Sequence, residues 1–118
     1  MGEQKQIVEK YMDGFRASDH EKILSCLTDD VIWEMPGFYL HRGKAAFDQE
    51  IEHPNADGHP DITITRLVEE GNIVIAEGAV KAKMQDGSKI DAVFCDVFHF
   101  TNGKINKLTS YLMFNQRP

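Results

Sequence analysis

Phe94-Cys95-Asp96-Val97-Phe98-His99-Phe100 is the most apolar stretch of the chain, and it reads as a β-strand. Strand alternation places Phe94, Asp96, Phe98 and Phe100 on one face. A face so rich in phenylalanine is normally core, where a free carboxylate is costly. Asp96 must therefore be paired, held neutral by a raised pKa, or set in a cavity. A structural ion pair and a functional acid both satisfy that requirement.

The turns around this strand organise the C-terminal half. Asp86-Gly87 before it and Asn102-Gly103 after it are strong hairpin signals, and Gly71-Asn72 marks an earlier turn. They define a meander of strands near 61–68, 73–84, 89–100 and 105–114. A two-residue Asp86-Gly87 turn makes Gln85 face Ser88, and counting back sets Glu77 directly opposite Asp96. Their Cβ atoms would then lie about 5 Å apart. The second hairpin has two readings. A two-residue turn puts Lys107, Thr109 and Tyr111 on the Asp96 face. A three-residue Thr-Asn-Gly loop with Gly103 as a bulge puts Leu108, Ser110, Leu112 and Phe114 there. The second gives the more apolar face and is preferred. The opposite face is expected to carry Val74, Ala76, Val80, Met84, Val93, Cys95, Val97, Tyr111 and Met113. Helices cannot cover both sides of such a sheet, so this outer face is expected to form a homodimer interface.

The N-terminal half reads as helical. Ile7, Val8, Tyr11, Met12 and Phe15 mark one face of a first helix. Ser18-Asp19-His20-Glu21 fits a capping box, opening a second helix that buries Ile23, Leu24 and Leu27. Val31, Trp33 and Met35 alternate in a short strand closed by Pro36-Gly37. A third helix after Arg42-Gly43 carries Ala46, Phe47 and Ile51, and residues 53–60 read as a polar loop. Helices followed by an antiparallel sheet define an α+β class.

The 118 residues fit one domain, 1–118, with 42% hydrophobic and 27% charged residues, enough for a single core. A net charge of −6 and scattered basic residues exclude nucleic acid and anionic membranes as expected partners. No apolar run approaches a membrane span. Glu3, Lys5, Glu9 and Lys10 leave residues 1–12 without a signal-like block. Two cysteines suggest reduced thiols and a cytoplasmic location. There is no phosphate-binding glycine loop, dinucleotide fingerprint or Gly-x-Ser-x-Gly motif.

Three motifs carry a family resemblance over essentially the whole chain. They are Asp29-Asp30-Val31-Ile32-Trp33 leading to Met35-Pro36-Gly37, then Arg42-Gly43-Lys44-Ala45-Ala46, and Asp96-Val97-Phe98 leading to Gly103-Lys104-Ile105. With them the chain resembles the NTF2-like superfamily, and within it the SnoaL-like branch related to ketosteroid isomerase and polyketide cyclase. The resemblance implies an NTF2-like cone, with three N-terminal helices packed in a curved antiparallel sheet around a pocket. It also implies a small hydrophobic carbonyl or enol-type ligand and no cofactor. Ketosteroid isomerases hold a developing enolate oxygen with a Tyr and a protonated Asp, while a second carboxylate moves the proton. By resemblance Tyr11 matches that Tyr and Asp96 that Asp. Met35 stands directly before Pro36, where the base would be.

The expected catalytic set is therefore Tyr11 and Asp96 as oxyanion donors, with Glu77 as a substitute base. Glu77 paired with Lys81 or Arg66 is the competing structural reading. Phe15, Trp33, Met35, Phe94, Phe98, Leu108 and Leu112 are expected in the pocket or the core wall, and Ser110 as a rare polar ligand contact. His41 and Arg42 precede a helix and reach either a pocket mouth or solvent. Glu34 points away from Trp33 and Met35. His53, Asp57, His59 and Asp61 share a loop without metal-ligand spacing, so no metal is expected. Cys26 and Cys95 read as small buried hydrophobes. The leading reading is a cofactor-free isomerase or lyase that transfers a proton next to a carbonyl (isomerisation, aldol-type cyclisation or dehydration); a non-catalytic binding module is the runner-up and a protein-interaction domain the third class.

Overall fold

Helix α1 (Glu3–Ala17) forms along the Ile7, Val8, Tyr11, Met12 and Phe15 stripe, burying Val8, Tyr11 and Met12. The computed structural model describes residues 2–115 of the expected domain. Among them no helix is long and apolar enough to cross a membrane. Ser18 ends α1 in the left-handed conformation, φ 50°, with its N–H bonded back to the Phe15 carbonyl at 3.2 Å. Helix α2 (His20–Leu24) is consequently capped one residue later than expected. The Asp19 carboxylate accepts from the Lys22 N–H at 3.1 Å. Leu27, expected in that helix, instead opens strand β1 (Leu27–Met35).

A hairpin follows at Pro36, and β2 (Tyr39–Arg42) pairs antiparallel with β1, Trp33 opposite His41. The sequence reading had no strand there. Helix α3 (Lys44–Glu50) comes next, then β3 (Ala56–Glu70), β4 (Ile73–Met84), β5 (Lys89–Thr101) and β6 (Lys104–Phe114). The six strands form one sheet in the order β2-β1-β6-β5-β4-β3.

Three expectations about the architecture need correction. The third helix is not N-terminal to the sheet. It follows β1 and β2 and links the two edge strands, β2 and β3. The sheet is not wholly antiparallel, because β1 runs parallel to β6. Residues 53–60 are not all loop either: β3 already begins at Ala56, which pairs with Met84, and Asp57 pairs with Lys83. Backbone pairing across the long β4 strand prevails there over a polar composition.

Both hairpins depart from the expected geometry. Met84 N–H bonds to Ser88 O at 2.9 Å and Gly87 N–H to Met84 O at 3.0 Å, so the loop has three residues. Gly87 takes φ +87°, and the Asp86 carboxylate fixes the turn by accepting from the Ser88 N–H and Oγ. The register therefore moves by one. Ala76, and not Glu77, lies opposite Asp96, and Glu77 lies opposite Cys95. In the β5–β6 hairpin, Asn102 and Gly103 both have positive φ, 51° and 78°, forming a two-residue turn that pairs Thr101 with Lys104. The register then shifts between Phe100 and His99, leaving Asn106 as the extra residue. That bulge restores Phe98 opposite Leu108 and Asp96 opposite Ser110. The preferred face is present, reached by a different device.

The shift in β4 redistributes the two sheet faces. Val74 and Ala76, expected outside, are fully buried on the inner face, and Val80 and Met84 share their alternation. Val93, Cys95, Val97, Tyr111 and Met113 remain on the outer face with Glu77. Phe47 of α3 stacks on Trp33 with ring centroids 4.4 Å apart, and Phe98, Leu108, Ile105 and Val31 complete the core beneath the helices.

Candidate functional site

Between α1 and the inner sheet face lies a cavity of about 120 Å³. Tyr11, Met12 and Phe15 come from α1, and Trp33 and Met35 from β1. Ile62 and Val80 close it from β3 and β4, with Phe94, Asp96, Ser110 and Leu112 on β5 and β6. Helical spacing explains the α1 group, since positions 11, 12 and 15 lie on one side of that helix. Cross-strand pairing explains the others: Phe94 faces Leu112, Asp96 faces Ser110, and Ile62 faces Val80.

Of the residues singled out in the sequence, Tyr11, Phe15, Trp33, Met35, Phe94, Asp96, Ser110 and Leu112 meet at this cavity. Phe98 and Leu108 do not. Both are fully buried in the core, and Phe98 packs edge-on against the Tyr11 ring at 5.2 Å. Glu77 is on the opposite side of the sheet, with its carboxylate 3.2 Å from Arg66 Nε. That surface ion pair is the competing reading of Glu77, and the cross-strand carboxylate pair with Asp96 does not exist. Val80 was missed as a lining residue because a one-residue turn error inverts the side of a strand, and Ile62, its partner on β3, had been assigned to neither face. Met12 was visible as part of the helix stripe.

The polar groups at the cavity are few. Burial pushes the Asp96 carboxyl up to about 7, and hydrogen bonding from Ser110 works against that rise. Among the described residues no cation offsets that rise. Burial, then the nearby Asp96, raises the Tyr11 phenol well above its usual range. Among the described residues the Tyr11 hydroxyl makes no hydrogen bond. Trp33 Nε1–H donates to Ser110 Oγ at 3.0 Å. Tyr39, stacked on His41 and edge-on to Trp33, is also raised, by burial first and then by Glu50 and Asp96. A neutral phenol beside a carboxyl that titrates near neutrality can donate to an oxygen and exchange a proton with a neighbouring carbon.

The remaining candidates sit elsewhere. His41 Nε2 is 2.8 Å from a Glu50 oxygen, Arg42 is exposed, and Glu34 lies on the outer face opposite Leu40. His59 Nδ1 is bonded to Ser18 Oγ at 2.9 Å, while Asp57 and Asp61 pair with Lys83 and Lys81 along β3–β4. Cys26 is buried, and Cys95 is half-buried on the outer face.

The six-stranded sheet with helices on one face places the chain in the NTF2-like fold class. A profile described as the SnoaL-like domain matches residues 8–108, and the chain belongs to the SnoaL-like family. An LEH-like epoxide hydrolase of M. tuberculosis is similar at 20% identity over 94% of this chain and 83% of its own, with a TM-score of 0.82. An NTF2-like protein of unknown function from Burkholderia pseudomallei shares 18% identity over 98% of this chain and 92% of its own, with a TM-score of 0.84. TerC, co-crystallised with polyporic acid, shares 22% identity over 96% of this chain and 92% of its own, with a TM-score of 0.82. These identities establish a shared fold and no shared reaction. No curated protein matches the chain.

Proposed function

We propose that the protein is a small cofactor-free enzyme that moves a proton next to the carbonyl of a small hydrophobic compound. The reaction is an isomerisation, an aldol-type cyclisation or a dehydration. The observation that carries this reading is Asp96: a carboxyl held at about 7, with no cationic partner among the described residues, facing an apolar cavity beside the Tyr11 hydroxyl. Glu77 has no part in it, since it lies across the sheet. The ionised fraction of Asp96 takes a proton from the carbon adjacent to the carbonyl. Tyr11 donates a hydrogen bond to the oxygen as negative charge develops there. Asp96, now a neutral acid, returns the proton to a conjugated carbon in an isomerisation, to the new alkoxide in an aldol closure, or to the departing hydroxyl, which leaves as water, in a dehydration. Phe15, Trp33, Met35, Phe94 and Leu112 supply the apolar walls that hold the substrate and exclude water.

Solvent-exchange NMR tests this. With a panel of cyclic enones in deuterated buffer, the wild type is expected to exchange protons next to the carbonyl, and Asp96→Asn to slow that exchange at least about 100-fold. Equal exchange by both proteins would sink the assignment. A second reading is a binding module without chemistry, favoured by Met35 standing at the position before Pro36 and lining the cavity. Ligand binding with no exchange in either protein would select it.

The outer sheet face is the proposed homodimer interface. Val93, Tyr111 and Met113 are 44%, 53% and 72% exposed there, side by side on β5 and β6. Sedimentation equilibrium is expected to give a dimer for the wild type and a monomer for Tyr111→Glu combined with Met113→Lys. A monomeric wild type would contradict the interface. A cytoplasmic location is supported by the two free thiols, and recovery from another cell fraction would count against it.

A further inference from the structure

Ser110 is the one polar residue among the buried side chains of the described core, 4% exposed on a wall otherwise built from apolar groups. A buried hydroxyl in that position needs partners, and two polar neighbours flank it. Trp33 Nε1 lies 3.0 Å from Ser110 Oγ. Asp96 is its direct cross-strand partner on the same face. The direction of the chain follows from the chemistry of its ends. An indole N–H donates and never accepts, so Trp33 occupies a lone pair of the Ser110 oxygen. The single hydroxyl proton of Ser110 is then left for the acceptor across the strand pair, the Asp96 carboxyl, with which it hydrogen-bonds.

We infer that Trp33 and Ser110 form a one-way hydrogen-bond relay that aims the Ser110 proton at Asp96 and favours the ionised carboxylate inside the apolar cavity. This inference deepens the proton-transfer reading given above and makes Ser110 and Trp33 positioning residues. It also changes the role of Ser110 from the expected ligand contact, because its one proton and one of its two lone pairs are committed within the protein. The consequence is functional. Burial alone would keep Asp96 protonated past neutrality, where it could donate but not accept. A donor held against it stabilises the charged form and brings the midpoint down to where acid and base forms coexist. Trp33 matters although it does not reach Asp96, since without its N–H the hydroxyl is free to rotate and to accept from a neutral carboxyl instead.

The groups that sense Asp96 are Tyr11 on α1, Tyr39 on β2 and the adjacent Cys95, each of them shifted further toward its neutral form. Ala76 on β4 and Ser110 on β6 face it from the flanking strands. None of these carries a positive charge that could take over the work of the relay.

The test is the titration of the Asp96 carboxyl in the ligand-free protein, followed by carbon-13 NMR of labelled aspartate and assigned by the signal that Asp96→Asn removes. Ser110→Ala is expected to move the midpoint up by about one pH unit, the size of a hydrogen bond to a charged group. Ser110→Thr keeps the hydroxyl and is expected to restore it. Trp33→Phe keeps the ring and is expected to move the midpoint in the same direction by less. An unchanged midpoint in Ser110→Ala would overturn the inference. A shift in Ser110→Ala with none in Trp33→Phe would overturn the relay by removing its first link. Because this titration needs no substrate, failure here is distinct from failure of the enzymatic reading, which would appear as absent proton exchange in a protein whose carboxyl titrates as expected.

Discussion

Asp96→Asn is expected to stabilise the protein, and by more as the pH rises. The Asp96 carboxyl is raised from its ordinary 3.8 to about 7 by burial. Between these two values the folded protein holds a proton that the unfolded chain has released. The stability contributed by that proton is complete below about pH 4 and is lost as the pH passes about 7. Above that point the fold carries a buried carboxylate. Such a rise corresponds to about 4 kcal/mol at most, and the open cavity reduces it to roughly half of that. Asparagine has the same shape, still accepts from Ser110, and is neutral at every pH. Thermal unfolding should therefore show Asn and wild type nearly level at pH 4. At pH 8 the variant should have a Tm higher by roughly 5–10 °C. A wild type that is the more stable protein at pH 8 would mean that the carboxylate is satisfied by a structural partner. The exchange of stability for activity is the usual mark of a functional group placed where folding alone would not put it.

Gly78→Ala is expected to be the most damaging single-methyl change in the sheet. Gly78 is buried on β4, opposite Phe94 on one side and Ile64 on the other. A Cβ there would come within 2.2 Å of the Thr63 carbonyl oxygen and 2.8 Å of Phe94 Cζ. The first contact is with backbone locked in the β3–β4 ladder, so a rotamer change cannot relieve it. The adjoining register shift between Ile64 and Arg66 shows that β3 bends at this point. We expect a loss of about 3 kcal/mol or more in urea unfolding. A loss below about 1 kcal/mol would show that the two strands separate easily. Since Phe94 lines the cavity, a folded remnant of this variant should also bind ligand poorly.

Much of this arrangement is legible in the chain. The Phe-rich alternation around Asp96 and the Asp-Gly and Asn-Gly turns define the sheet, and the α1 stripe carries Tyr11 toward it. The errors share one physical origin. Side-chain direction in a strand reverses with each residue, so counting along β4 from an assumed turn length decides which face every residue occupies. Gly87 in the left-handed region added one residue to the turn. That addition moved Glu77 outward and brought Val80 into the cavity wall. On β6 the same uncertainty was resolved correctly for a reason independent of turn type: the apolar set Leu108, Leu112 and Phe114, which brings Ser110 with it, fits the inner face, and the bulge at Asn106 adjusts the chain to it. On β4 the apolar alternation of Val74, Ala76 and Val80 likewise marks the inner face, whatever the length of the turn. Strand β2 lacked any signal of its own, being four residues with only Tyr39 and Leu40 apolar. Long-range bonds such as Trp33 to Ser110, 77 residues apart, have no local trace in a sequence.

The most direct test of the account is fluorescence-detected binding of phenols and fused-ring enol analogues across pH 5–9, on wild type and Asp96→Ala. A Tyr11–Asp96 site predicts binding of the phenols with a pH midpoint near that of Asp96, and loss of that midpoint in the variant. Binding that is absent, or that ignores both pH and the loss of Asp96, would contradict the account and return Asp96 to a structural role.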